Sequence, residues 1–203
     1  ILIIFVFGCK KADKTTEPII VVETKLPILK ITTTNAIVDE PKVEANAVLT
    51  SYDTVLYTGK IGIELRGSTS QRISSWLKKS YGIEFRKDDN SSNAISILGL
   101  PKESDFVLNA EWNDRSLIRN MLIYDLSNQV GNYASRTRWV EVYLNSEYKG
   151  LYVMMEKLKR DTNRINIAKA NDANPADGGY ILKIDKTSGE INPYTNTQEW
   201  AGD

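Results

Sequence analysis

A chain of 203 residues with 26 basic and 26 acidic side chains, no histidine and one cysteine excludes several common chemistries at once. Without histidine there is no Ser-His-Asp or Cys-His relay and no HExxH zinc helix, and a lone cysteine forms neither an internal disulfide nor a CxxC redox pair. A formal net charge of zero argues against a nucleic-acid protein, whose affinity comes from a basic surface, while phosphoryl transfer, carboxylate-pair hydrolysis and plain binding stay open.

The chain opens on an apolar run, Ile1 to Phe7, followed by Gly8 and Cys9. The run is far below the ~20 residues a membrane-spanning helix needs. With a small residue just before the cysteine, residues 1–9 read as the remnant of a lipoprotein signal peptide, with Cys9 as the expected lipidation site; a buried first strand carrying a core cysteine is the competing reading. Residues 10–25 follow as a polar tether. A composition of 41% hydrophobic and 26% charged residues then suits a folded domain, expected over residues 26–185.

Short apolar runs at Ile19–Val22, Leu26–Leu29 and Ala45–Leu49 read as strands. Gly59 to Leu65 alternates with Ile61, Ile63 and Leu65 on one face, and Lys79 to Arg86 places Tyr81, Ile83 and Phe85 inward. The same alternation turns Lys79 inward and Lys78 outward. After the motif Asn113-Asp114-Arg115-Ser116, the residues Leu117, Ile118, Met121, Leu122 and Leu126 form the stripe of an amphipathic helix, capped by Asn113 or Asp114 and ended at Gly131. Trp139–Leu144 and Leu151–Met155 flank a turn at Asn145-Ser146, a hairpin in which Gly150 marks a bulge. Gly179–Ile184 reads as a last strand, and residues 186–203 as a polar tail. The expected fold class is α+β: a mainly antiparallel sheet with one long helix packed on one face, in the outline of a kinase small lobe.

Several motifs in order resemble one family. Arg66-Gly67-Ser68-Thr69-Ser70 with Lys78-Lys79-Ser80-Tyr81, then Glu111 to Asn120, the hairpin Val140 to Tyr152, Glu156 to Asp161, and Gly178 to Asp185 are similar to the signatures of CotH-type proteins. Ser146 stands where that family usually has glycine. The resemblance implies an atypical secreted protein kinase that uses ATP and a divalent metal such as Mg to phosphorylate serine-rich surface or coat proteins. It also implies a location in the cell envelope, here with membrane attachment through a lipid anchor. The family's catalytic and metal-binding aspartates lie in motifs resembling NxD and WDxD, and neither follows Asp185, where Trp200 to Asp203 does not match. No catalytic base or metal ligand is therefore assigned, and the chain by itself is expected not to transfer phosphate.

The candidate ATP-contacting residues are Arg66, Gly67, Ser68, Lys78, Lys79, Glu156 and Lys157. Lys79 is the first choice for a phosphate contact, because an ammonium on an apolar strand face needs an anionic partner; snorkelling to the sheet edge competes, and Lys78 is the alternative. The loop Arg66–Gln71 either cradles phosphate with its backbone or is an ordinary connection. Glu156 and Lys157 stand where a kinase hinge meets adenine. Lys157, Lys159, Arg160 and Arg164 are a basic cluster facing phosphate, an acidic substrate or solvent. The acid that kinases pair with such a lysine is unassigned. A non-catalytic surface lipoprotein binding carbohydrate or protein is the alternative function, and a paired-carboxylate glycosidase a third without a supporting motif.

Overall fold

The computed structural model describes residues 25–67, 70–71, 77–170 and 177–182. The elements are β1 (Ile28–Thr32), β2 (Val43–Ser51), β3 (Thr54–Arg66), β4 (Ser80–Phe85), β5 (Ile95–Ile97), β6 (Leu100–Glu103), β7 (Asp105–Asn109), α1 (Arg119–Gln129), β8 (Thr137–Leu144) and β9 (Glu147–Glu156). Seven of the strands close into a barrel in the order β1-β2-β3-β4-β7-β9-β8, and β5 and β6 form a separate two-stranded piece.

Alternation dictates what fills the barrel. Ile61 and Ile63 of β3, Tyr81, Ile83 and Phe85 of β4, Phe106 and Leu108 of β7, and Tyr152 and Met154 of β9 all lie inside. Packed aromatic rings run through the middle, with Tyr57 and Phe85 at 4.6 Å and Phe85 and Phe106 at 5.7 Å between centroids. Ala45 and Ala47 of β2 leave the room these rings occupy, as a small barrel filled by side chains requires. The β8–β9 hairpin forms with its turn at Asn145-Ser146, both at positive φ (50° and 68°). Opposite Val142/Tyr143 the register shifts, with Gly150 (φ 99°) paired to Val142 and Tyr148 to Tyr143.

The α+β expectation does not survive. The molecule is mostly β, its sheet is a closed barrel, and the one helix among the described elements is short, 11 residues. The inward residues were set by local alternation, but closure depends on β1 lying parallel to β8, a contact across more than a hundred residues that no local pattern encodes. The helix differs too. Leu117 turns to φ 59° before it begins, no helical residue is buried, and Ile118, Leu122 and Leu126 are exposed at 44%, 54% and 46%. The core is held inside the barrel, and α1 stands off its outside, with an open cleft of about 410 Å³ between Ile118, Met121 and Leu122 and the Trp139 side of β8. The described part of the expected last strand, Gly179 to Leu182, is not a strand. Among the described residues, no helix is long and apolar enough to cross a membrane.

Leu29 of β1 pairs with Leu49 of β2 on one side and Val142 of β8 on the other, and all three are buried. Leu29→Ala is expected to lower unfolding free energy by about 2–5 kcal/mol in urea denaturation, because the cavity opens at the seam of the barrel. Exposed Lys30 changed to alanine is expected to shift it by less than about 0.5 kcal/mol.

Candidate functional site

At one end of the barrel the chain enters β4 through Lys78 and Lys79, and the strand's parity does not extend back to them. Lys78 sends its ammonium over the Tyr152 ring at 4.4 Å and donates to the Ala110 carbonyl at 2.8 Å and to the Leu151 carbonyl. Lys79 donates to the Ser70 carbonyl at 2.6 Å, while its own carbonyl accepts the Tyr152 hydroxyl at 2.9 Å. Burial pushes Lys78 from the usual 10.5 down to about 8, against a smaller upward pull from the Glu111 charge. Both acceptors are neutral, so among the described residues the positive charge stands without a carboxylate in contact.

Glu111 follows β7 at φ 48° and is buried. Its Oε1 accepts Asn109 Nδ2 at 2.7 Å, and Asn120 Nδ2 reaches Oε1 and Oε2 at 2.9 and 3.0 Å. Asp114 organises the start of α1. Ile118 occupies the N-cap place and offers no polar side chain, so the Arg119 N–H goes to Asp114 Oδ2 at 2.9 Å, while Oδ1 accepts the Ser116 N–H and hydroxyl. The Ser116 hydroxyl first, then the Arg119 N–H, hold this carboxyl down to about 2. Lys78, Glu111, Asp114, Arg119 and Asn120 line a polar cleft of about 290 Å³.

A second cleft, of about 420 Å³, shares Ser80 and Asn109 with the first. It gathers Arg66, Gly67, Glu156 and Lys157 between the ends of β3 and β9, with Val107, Met155 and Leu158 as apolar wall. Four of the sequence-derived candidates therefore meet in one place, and Lys78 lies in the adjoining one. Ser68 and Cys9 lie outside the described residues.

Glu156 has a structural task. Its carboxylate, with no exposed surface, accepts Arg136 Nε and Nη2 at 2.9 Å each, the Arg136 N–H at 3.0 Å and the Tyr133 hydroxyl at 3.2 Å, and Arg164 Nε stands 3.7 Å away. Its backbone is also engaged: the N–H donates to Arg136 and the carbonyl accepts the Ser135 hydroxyl. The Lys157 carbonyl accepts Arg164 Nη1 at 2.6 Å. Within the basic cluster, Lys159 pairs with Glu103 at 2.8 Å and Asp105 at 3.2 Å, and Arg164 is buried, so these two charges are spent on the fold.

Glu111, Asn109 and Asn120 escaped the sequence reading. The signal that could have found two of them is the motif Glu111 to Asn120, which Glu111 and Asn120 bracket.

Two comparisons place the chain among known proteins. A family model described as CotH kinase protein matches residues 63–201. The chain is similar to the protein named Inner spore coat protein H of Bacillus subtilis (strain 168), at 30% identity over 149 residues, covering 68% of this chain and 38% of that protein. The chain therefore spans well under half the length of that relative.

Glu156→Gln removes the anion that faces two guanidinium groups, and Arg164 is as buried as the carboxylate it faces. The variant is expected to lose about 3–5 kcal/mol of stability by urea denaturation, through charges left unpaired in the interior.

Proposed function

Because the chain belongs to the CotH kinase protein family, we propose that its paired clefts bind ATP, with Lys78 on the phosphates, and that the longer protein transfers phosphate to serine-rich surface or coat proteins. The observation that carries this is the Lys78 ammonium: half-buried, held among the described residues by two carbonyls and a ring, and facing a polar cleft. A half-buried cation with no carboxylate in contact among the described residues attracts an anion, and phosphate oxygens are the anions the family chemistry supplies.

The residues fit a nucleotide's phosphates. Lys78 and Arg119 provide cationic donors in the first cleft, Arg66 and Gly67 line the second, and the apolar wall of Val107 and Met155 suits a flat base. Among the described residues, no group of three or more His, Cys, Asp or Glu side chains is arranged to hold a metal ion, so no step is assigned to one. A divalent metal, when bound with ATP, would neutralise phosphate charge and favour transfer. The relative named for the inner spore coat supports a coat or extracellular location; attachment through a lipid anchor at Cys9 is proposed from the N-terminal sequence alone.

Equilibrium binding of ATP to the 203-residue chain tests the proposal. Lys78→Met is expected to weaken binding by roughly ten- to a hundredfold, the worth of a charge-assisted hydrogen bond; equal affinity in the variant would remove Lys78 from the site, and no affinity in the parent chain would favour a carbohydrate- or protein-binding role.

The pH dependence has a definite sign. Lys78 is protonated below about 8 and neutral above, so ATP affinity is expected to be flat from neutral pH up to that point and to fall as pH rises through it. Isothermal titration across that range reads the change, and Lys78→Met is expected to abolish it.

A further inference from the structure

We propose that Asn109 and Asn120 are positioning residues that keep the Glu111 carboxylate from pairing with the Lys78 ammonium, leaving that ammonium on neutral partners and open to an incoming phosphate. The proposal takes its ligand from the ATP reading above, but its first readout does not depend on it.

The two charges are close in the chain's own geometry. Lys78 donates to the carbonyl of Ala110, and Glu111 is the next residue. A glutamate side chain released at that point would swing onto the ammonium, because opposite charges in a half-buried site attract far more strongly than in water. In the structure Lys78 has carbonyl partners instead, and the glutamate oxygens are taken by amides.

The amides are neutral, so they occupy the carboxylate's lone pairs without cancelling its charge. They come from separate elements, the last residue of β7 and the second residue of α1, and so grip the carboxylate from two sides. The orientation of Asn109 is itself fixed. Ser80 Oγ donates to Asn109 Oδ1 at 3.3 Å and accepts the Ala110 N–H at 3.0 Å, which turns the amide nitrogen toward Glu111.

The other groups around Lys78 are the Tyr152 ring from β9 and, across the cleft, Asp114 and Arg119. Asp114 is bonded to Ser116 and to the Arg119 backbone, with the Arg119 guanidinium 3.5 Å away, and Lys79 turns to Ser70. Glu111 is thus the acid in position to take Lys78 if its amides let go.

The test uses the full 203-residue chain and reads Lys78 by the pH midpoint of its acylation with acetic anhydride, followed on its peptide by mass spectrometry. Asn120→Ala is expected to raise that midpoint by about one pH unit, as the freed glutamate pairs with the lysine, and to weaken ATP binding about tenfold. Adding Glu111→Gln to the same chain is expected to bring the midpoint back down and restore ATP affinity. An unchanged midpoint in an Asn120→Ala chain whose far-ultraviolet circular dichroism matches the parent would overturn the proposal. Should that variant not fold, Asn109→Ala is read in its place, and a flat midpoint there has the same meaning. A raised midpoint in a chain whose parent shows no ATP affinity would support the clamp and count against the nucleotide reading alone.

Discussion

Ile28 to Ile31 lie alongside Glu141 to Leu144 in parallel, and this short ladder turns a seven-stranded ribbon into a tube. Without it β1 and β8 would each present a row of unpaired N–H and C=O groups, the usual weakness of an open sheet. With it, the interior closes around Tyr152, Phe85 and Phe106, and the ring of Tyr152 becomes a fixed seat for the Lys78 ammonium. The site is a product of closure, since its lysine rests on β9 while its acid hangs from β7.

Where the sequence was legible, the signal was local. Ile61 and Ile63, or Tyr81, Ile83 and Phe85, declare an inner face by alternation, and Asn145-Ser146 between two β-rich runs declares a hairpin. Closure was not legible, because the partner of β1 lies far along the chain and both strands alternate as an open sheet would. The apolar residues from Ile118 to Leu126 suggest a helical stripe, but Ile123 is apolar and exposed as well, so the helix has no distinct apolar face and none of its residues is buried. Lys78 and Lys79 show a similar limit at finer scale. Alternation holds only inside a strand, β4 begins at Ser80, and one residue outside it the backbone is free to send either lysine to the cleft.

Two buried glutamates at the ends of neighbouring strands show how environment assigns different work to one residue type. Glu156 is surrounded by guanidinium groups and a phenol, and its charge is answered in full. Glu111 is met by two amides, its lone pairs filled and its charge left standing. The first arrangement fixes a wall. The second keeps a charge in reserve beside a lysine.

The knot around Glu156 also bears on how a ligand is received. Tyr133, Ser135, Arg136 and Arg164 come from the approach to β8 and from the segment after β9, and all are tied to one residue at the edge of the larger cleft. That side of the opening is organised during folding, before any guest arrives. A molecule settling against it has few rotamers left to freeze there, so more of its contact energy would show as affinity and less would be consumed in ordering its host.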